Sequence, residues 1–269
     1  MKRIILLLCG CTLMHAAFSQ TAEENSRAAM AKMAQKDYSG AIAIYTKAIE
    51  INPRDVYAYN KRGEAKNKMQ DYNGAIADFT RAIEMNQKNA IYYYNRASVK
   101  DVLKDYAGAI ADISKAIEIS PEHEEYYSFR GDAENTMKDY KAAISDFDRA
   151  ITLKPGDKDI YYLRAVAKYS LQDYTGAIAD FTQDMFLNPQ DPRSCGLRGN
   201  AKFEQKDYVG AIPDFTRAIE LNPGNADYYL FRGESKLRSG DKNGACADFQ
   251  KAADMGNSKA REYVGVQCR

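Results

Sequence analysis

The sequence lacks the residues from which most enzyme sites are built. It has two histidines, five cysteines, seven prolines and no tryptophan in 269 residues. His15 lies in the apolar N-terminal stretch, and His123 stands between Glu122 and Glu124 with no cysteine nearby, which is typical of a solvated residue. No segment matches a phosphate-binding loop or a dinucleotide-binding glycine pattern. We therefore expect no enzyme activity, no metal site and no cofactor.

An excess of either charge is also missing. The chain carries 38 lysine and arginine residues against 37 aspartate and glutamate residues. Proteins that bind nucleic acid or an anionic membrane through surface charge usually show a basic excess or a basic patch. The balance therefore argues against nucleic acid as a partner, including RNA binding of the kind known for related helical arrays.

The N-terminus carries a basic start and an apolar stretch. Lys2 and Arg3 precede this stretch, which ends in the small residues of a cleavage site. The pattern predicts a signal peptide at residues 1–19 and an exported protein, periplasmic or extracellular, without a membrane span after cleavage. Two alternatives stay open. The stretch is retained as a hydrophobic helix, or the protein is an outer-membrane lipoprotein modified at Cys11, because residues 8–11 resemble a lipobox.

The chain contains a strict internal repeat. The block Asp-Tyr-x-Gly-Ala-Ile returns every 34 residues, the last time in weakened form, without insertion or deletion. Its first residues are Asp37, Asp71, Asp105, Asp139, Asp173, Asp207 and Asp241. A period of this length is typical of stacked helix pairs. Such arrays offer a long surface, which favours binding over catalysis.

One repeat, residues 56–89, reads as two helices, A and B. Helix formers run from Val56 to Met69, Asp71 can cap the second helix, and apolar residues then fall on one helical stripe. Proline-containing pairs end helix B in most repeats. Small residues recur in helix A at Gly63, Ala97, Gly131, Ala165, Gly199 and Gly233, and in helix B at Ala75, Ala109, Ala143, Ala177, Ala211 and Ala245. They predict close packing of the two helices.

These features resemble the tetratricopeptide repeat family. The small-residue positions, the helix B aromatics Phe79, Phe147, Phe181, Phe215 and Phe249, and the terminal prolines fall where that family has them. The resemblance implies an all-α, right-handed superhelical solenoid of seven helix-turn-helix repeats plus a C-terminal capping helix at 260–269. The repeat boundaries are 22–55, 56–89, 90–123, 124–157, 158–191, 192–225 and 226–259.

Repeats two to seven depart from the family pattern by placing charges inside the helix pair. Arginine precedes the small helix A residue at Arg62, Arg96, Arg130, Arg164, Arg198 and Arg232. Aspartate precedes the helix B aromatic position at Asp78, Asp112, Asp146, Asp180, Asp214 and Asp248. The first repeat lacks both, with Ala28 and Ile44 instead. We expect a partly buried Arg–Asp bridge within each repeat; the alternative is that both groups are merely solvated.

Two cysteines near the C-terminus lie at similar distances from a turn. Cys246 and Cys268 flank Gly256, so antiparallel helices bring the two thiols to similar height. In an exported protein this pair can oxidise to a disulfide; two ordinary buried thiols are the alternative. Cys195 replaces a helix A tyrosine and is interpreted as a small core residue.

The resemblance also implies a binding face, because helix A lines the concave side in this family. Its ligand positions hold polar residues in repeats two to four, among them Asn60, Glu64, Asn67 and Ser98, and an apolar stripe in repeats five to seven. The partner-binding candidates are Tyr94, Asp132, Tyr162, Val166, Tyr169, Asn200, Phe203, Leu230 and Leu237. Packing of Tyr169 and Phe203 against neighbouring helices is the alternative for those two rings.

The function expected from this face is that of a non-enzymatic scaffold or adaptor. Its partner would be a protein or peptide with basic and apolar residues, because acidic side chains occupy helix A positions where a basic carboxylate clamp would need positive charge. The alternative is a lipid-anchored factor that assembles a complex at a bacterial envelope.

Overall fold

The structure, a computed structural model, describes residues 24–268. All regular secondary structure in this range is α-helical. The predicted signal peptide at residues 1–19, with the lipobox cysteine Cys11, lies outside the described residues. None of the helices between residues 24 and 268 is both long enough and apolar enough to cross a bilayer.

The helices follow one another in pairs with the period of the sequence. The first, α1, is described over residues 24–34. It is followed by α2 (Tyr38–Ile51), α3 (Val56–Lys68), α4 (Tyr72–Met85), α5 (Ala90–Val102), α6 (Tyr106–Ile119), α7 (Glu124–Thr136), α8 (Tyr140–Leu153), α9 (Lys158–Ser170), α10 (Tyr174–Leu187), α11 (Pro192–Glu204), α12 (Tyr208–Leu221), α13 (Ala226–Arg238), α14 (Lys242–Asp254) and α15 (Ser258–Gln267). The odd-numbered helices up to α13 are helix A, and the even-numbered ones are helix B.

Each helix B begins at the aspartate of the repeated block. The Asp71 carboxylate accepts the backbone N–H of Gly74 at 3.0 Å, and the other six aspartates cap their helices in the same way. Gln70, just before the cap, has a φ of 64°, which closes the tight turn between helices A and B. The recurring aspartate thus sets where each second helix starts.

The chain divides into two compact units, one up to Tyr126 and one from Tyr127 onward. Within the units, helix A packs against its own helix B, and helix B packs against the following helix A. The alanines at the small helix B position are fully buried in every repeat from two to seven. Gly63 lies so close to helix B that a Cβ atom there would be 2.7 Å from Phe79 Cε1. Small side chains therefore set the spacing of each helix pair.

The last helix begins slightly earlier than the sequence indicates. The sequence predicts a capping helix from residue 260, but α15 starts at Ser258 because the Asn257 side chain accepts the N–H of Ala260 at 3.0 Å. Its Tyr263 ring stacks on Phe249 with the ring centroids 4.6 Å apart. The helix thus covers the end of the last repeat's core.

A disulfide joins α14 to the residue that follows α15. Cys246 and Cys268 are bonded, with their Cα atoms 5.5 Å apart. Cys195 is a buried free thiol, and its burial raises the pKa of the thiol. The covalent link fixes the end of the capping helix to the helix beneath it.

Candidate partner-binding face

The arginines and aspartates inside the helix pairs form bidentate ion pairs within each repeat. Arg62 donates from Nε to Asp78 Oδ2 at 2.9 Å and from Nη2 to Asp78 Oδ1 at 2.7 Å. The same geometry recurs for Arg96–Asp112, Arg130–Asp146, Arg164–Asp180, Arg198–Asp214 and Arg232–Asp248. All six aspartates are buried, so these groups hold helix A to helix B and do not face a partner.

A lysine that the sequence interpretation missed completes most of these pairs. Lys66 Nζ lies 2.8 Å from Asp78 Oδ2, and equivalent contacts join Lys100–Asp112, Lys168–Asp180, Lys202–Asp214 and Lys236–Asp248. The signal was available, because lysine recurs with the 34-residue period four positions after the arginine. Repeat four breaks the series with Glu134.

The arginines also connect successive repeats. Arg62 Nη1 donates to Thr46 Oγ1 of the preceding helix B at 3.1 Å, and Arg164 Nη1 donates to Asp148 in the same way at 2.6 Å. Arg62, Arg96, Arg164, Arg198 and Arg232 therefore each tie helix A both to its own helix B and to the repeat before it. This second role explains why arginine, with its forked donors, stands at this position.

In the first unit, the helix A residues surround a cavity of about 200 Å³. Its lining residues are Met33, Glu64, Asn67, Lys68, Phe79, Tyr94, Asn95 and Ser98. Four of these, Glu64, Asn67, Tyr94 and Ser98, were ligand positions in the sequence interpretation, and the fold brings them together. The cavity opens on the helix A side of repeats one to three.

A hydrogen-bond network forms the polar wall of this cavity. Asn60, which is 4% exposed, donates to Glu64 Oε1 at 2.8 Å and accepts from Asn95 Nδ2 at 2.9 Å. Lys61 Nζ lies 2.8 Å from Glu64 Oε2. Asn95 was not singled out in the sequence, because no other helix A has asparagine at its position. The network holds the Glu64 carboxylate at the cavity wall.

Tyr94 supplies part of the apolar wall. Its ring is half-buried and lies 5.3 Å from the Tyr126 ring. Burial first, and then the charge of Glu125, raises the pKa of the Tyr94 hydroxyl. The cavity thus joins a carboxylate and amides on one wall to aromatic surface on another.

In the second unit, the predicted exposed apolar stripe is largely part of the packing. Leu230 is only 4% exposed and lies in the core beside Phe249, and Leu237 packs against the same cluster. The prediction that Leu230 lies on the free face was wrong, because its side chain fills the space between helices A and B.

The remaining aromatic residues of that stripe are half-buried. Tyr162 lies edge-on to Phe181 with ring centroids 6.2 Å apart, and Tyr169 meets Tyr174 at 5.3 Å. Val166 packs against the same cluster. Phe203 and Tyr208 form the equivalent pair at 5.1 Å. Tyr169 and Phe203 therefore pack against neighbouring helices, as the alternative interpretation of these two rings predicts.

The polar candidates of the second unit, Asp132 and Asn200, lie on different helices. Asp132 is exposed on α7. Asn200 is half-buried on α11, and its Oδ1 accepts no hydrogen bond within residues 24–268. Tyr162 is covered on one side by the Arg193 guanidinium, 4.6 Å from the ring centroid. The second unit thus offers separate polar and aromatic positions.

A buried polar contact in repeats five and six was also unforeseen. Asp184 stands where other helix B segments have alanine, and it is 1% exposed. The Ser194 hydroxyl donates to one carboxylate oxygen, and Asn188 Nδ2 lies 3.3 Å from the other. Through these contacts the buried Asp184 carboxylate links α10 to α11. Among the described residues there is no group of histidine, cysteine, aspartate or glutamate side chains placed to hold a metal ion.

Comparison of the sequence with family models identifies the repeats. Models of tetratricopeptide repeats match residues 31–70, 66–124, 130–192 and 192–225. The chain belongs to the tetratricopeptide repeat family. Repeats of this family bind protein or peptide partners, so this tetratricopeptide repeat protein is a protein–protein interaction scaffold. A sequence comparison with curated proteins found no match.

Solved structures of tetratricopeptide repeat proteins share the fold. The C-terminal part of such a protein from Cytophaga hutchinsonii has a TM-score of 0.73 at 20% identity, covering 88% of this chain and 98% of that one. A protein from Parabacteroides merdae has a TM-score of 0.64 at 22% identity, covering 93% and 100%. YrrB, described as having an unusual peptide-binding site, has a TM-score of 0.64 at 23% identity, covering 70% and 97%. The predicted all-α repeat solenoid is confirmed.

Proposed function

We propose that this tetratricopeptide repeat protein is a non-enzymatic adaptor that binds a peptide segment of its partner in the first unit. The observation that carries the proposal is the cavity of about 200 Å³ on the helix A side of repeats one to three. Peptide sites commonly combine pockets for side chains with a few fixed polar groups. In the second unit, Leu230 is 4% exposed, and the Tyr169 and Phe203 rings pack against neighbouring tyrosines.

The lining of the cavity favours a basic residue with a long aliphatic stem. Tyr94 and Met33 provide apolar surface, while Glu64 supplies a carboxylate that the Asn60–Asn95 network holds in place and whose counter-ion Lys61 a basic ligand would replace. A lysine or arginine side chain can bury its stem against rings and bring its charge to a carboxylate. YrrB, with its peptide-binding site, supports a peptide as the class of ligand but not its sequence.

A peptide-display selection tests this proposal. Peptides selected on the wild type from a random library should be rich in lysine or arginine beside apolar residues. Ser98→Leu narrows the cavity and should raise the Kd of the selected peptides by at least about tenfold, which is equivalent to about 1.4 kcal/mol of binding free energy. Thr152→Leu, on the exposed side of α8, is the matched control and should bind normally. Equal binding by both variants would exclude the cavity.

We further propose that the protein acts outside the cytoplasm. The apolar N-terminal stretch supports export, and the Cys246–Cys268 disulfide fits an oxidising compartment. The alternative, a lipid-anchored assembly factor at a bacterial envelope, differs only in retaining Cys11 as an acylated N-terminus. Both alternatives use the same binding face.

A further inference from the structure

Repeat four departs at one position from the buried charge cluster of the other repeats. In five repeats the helix A lysine bridges the buried aspartate, as Lys202 Nζ does with Asp214 Oδ2 at 2.8 Å. Glu134 takes the lysine's place in repeat four. The cluster there contains two carboxylates, Glu134 and Asp146, against the single guanidinium of Arg130.

The guanidinium in this cluster is committed to the aspartate. Arg130 Nε and Nη2 lie 2.6 Å and 2.8 Å from the two oxygens of Asp146. Glu134 Oε1 is 3.9 Å from Arg130 Nε, and the glutamate side chain is 14% exposed. Its Oε2 is buried and accepts no hydrogen bond within the part of the chain that the structure describes. The negative charge of an ionised Glu134 is thus poorly balanced by hydrogen bonds and by the Arg130 cation.

The lysines of the other repeats show what this position requires. Lys202 Nζ also lies 3.1 Å from the Gly210 carbonyl oxygen of helix B, so in repeat six this position faces two hydrogen-bond acceptors, Gly210 and Asp214. A protonated glutamic acid can donate a hydrogen bond to such acceptors, whereas a carboxylate cannot. Protonation therefore removes the buried negative charge that the replacement of lysine by glutamate introduces.

The charged groups around Glu134 in the second unit favour its neutral form. Arg130 faces it from its own helix, Asp146 from α8, and Asp139 from the start of α8. On α9, Arg164 is bound to Asp180 and Asp148, and Lys168 is bound to Asp180. Burial first, and then the charge of Asp146, raises the pKa of Glu134 to about 7, against the opposing effect of Arg130.

We propose that repeat four is a pH-responsive unit of the array, in which ionisation of Glu134 loosens the packing of α7 against α8. The direction follows from proton linkage, because the folded repeat holds the proton more tightly than the unfolded chain. The stabilisation is complete below the ordinary range of a glutamate, falls as the pH rises toward about 7, and stays low above it. The proposal does not depend on the partner-binding cavity.

Hydrogen–deuterium exchange on the full chain tests the proposal repeat by repeat. Peptides from residues 124–157 are compared with those from residues 192–225 at about pH 5 and about pH 8, after correction for intrinsic exchange. We expect local opening of repeat four to increase by at least about tenfold, equivalent to one pKa unit of differential interaction, while repeat six changes little. Equal behaviour of the two repeats would overturn the proposal.

Variants at matched positions separate the titration of Glu134 from other effects of pH. Glu134→Gln keeps the shape but cannot ionise, so the pH dependence of repeat four should disappear. Glu134→Lys rebuilds the cluster of the other repeats and should protect repeat four at both pH values. Lys202→Glu should transfer the pH dependence to repeat six. A wild-type pH response in Glu134→Gln would refute the role of this side chain.

Discussion

At the scale of single residues, replacing the buried aspartate of a repeat should lower the free energy of unfolding by an amount that depends on the cations it leaves unpaired. Asp214 is 3% exposed and is held by Arg198 and Lys202. Asp214→Ala leaves two cations in a poorly hydrated site, and we expect a loss of roughly 3–5 kcal/mol, seen as a lower urea midpoint. The triple variant Arg198→Leu, Lys202→Met, Asp214→Ala should lose less, because no charge is stranded. Equal midpoints would contradict this account.

Repeat four supplies an internal comparison for that experiment. Asp146→Ala removes the equivalent aspartate, but Glu134 lies 3.9 Å from Arg130 Nε and can replace it as the counter-ion. We therefore expect the loss of stability to be smaller than for Asp214→Ala.

A second residue-scale prediction concerns the helix A glycine. A Cβ at Gly63 would be 2.7 Å from Phe79 Cε1. Gly63→Ala should therefore lower the free energy of unfolding by about 1–3 kcal/mol through overpacking, measured by urea unfolding. Repeat three has alanine at the equivalent position, Ala97, together with the smaller Ile113 in place of phenylalanine. The double variant Gly63→Ala, Phe79→Ile should recover much of the loss; a double variant no better than the single one would argue against the steric explanation.

At the scale of helices, the sequence carries nearly all the information about the fold. The seven capping aspartates and the alanine positions recur in register, so each repeat supports the helix boundaries predicted for the others. The start of α15 was missed by two residues because Asn257, unlike the aspartates, occurs outside the repeated block. Helix ends depend on such local capping contacts more than on periodicity.

The binding face depends on side-chain directions that the repeat period does not specify. Periodicity places Leu230 and Phe203 on helix A positions that meet ligands in the family. It does not indicate whether a side chain at such a position points back into its own helix pair. Leu230 does so and is buried. The Asn60–Asn95 network depends on one asparagine in helix A of repeat two and one in helix A of repeat three, a pair that occurs at these positions only once in the repeats.

The capping helix gives an element-scale prediction. The Cys246–Cys268 disulfide closes a loop with a sequence separation of 22 residues, which corresponds to roughly 3 kcal/mol through restriction of the unfolded chain. Reduction of the wild type should lower its midpoint of thermal unfolding. The Cys246→Ser, Cys268→Ser variant should start lower and respond little to reductant. If reductant lowered the unfolding midpoint equally in both proteins, the stabilisation could not be attributed to this disulfide.

At the scale of the whole molecule, the array separates stability from recognition. The arginine–aspartate pairs recur in repeats two to seven and hold helix A to helix B within each repeat, so they are part of the scaffold. A helix A position that contributes to the cavity in the first unit changes from repeat to repeat, holding Glu64, Ser98, Asp132 and Val166 in succession. Specific recognition can therefore vary along the array while the packing stays constant.

The last prediction concerns the mature form of the chain. Removal of residues 1–19 takes away Lys2 and Arg3, leaving 36 basic residues (38 minus 2) against 37 acidic ones, a net charge of −1. Expressed with its own N-terminus in a bacterial host, the protein should be recovered from the exported fraction starting at Gln20, as measured by N-terminal sequencing and intact mass. Cys11→Ser should leave this product unchanged. An acylated product that is lost in Cys11→Ser would instead establish the lipoprotein, because only a cysteine at the lipobox can carry the lipid.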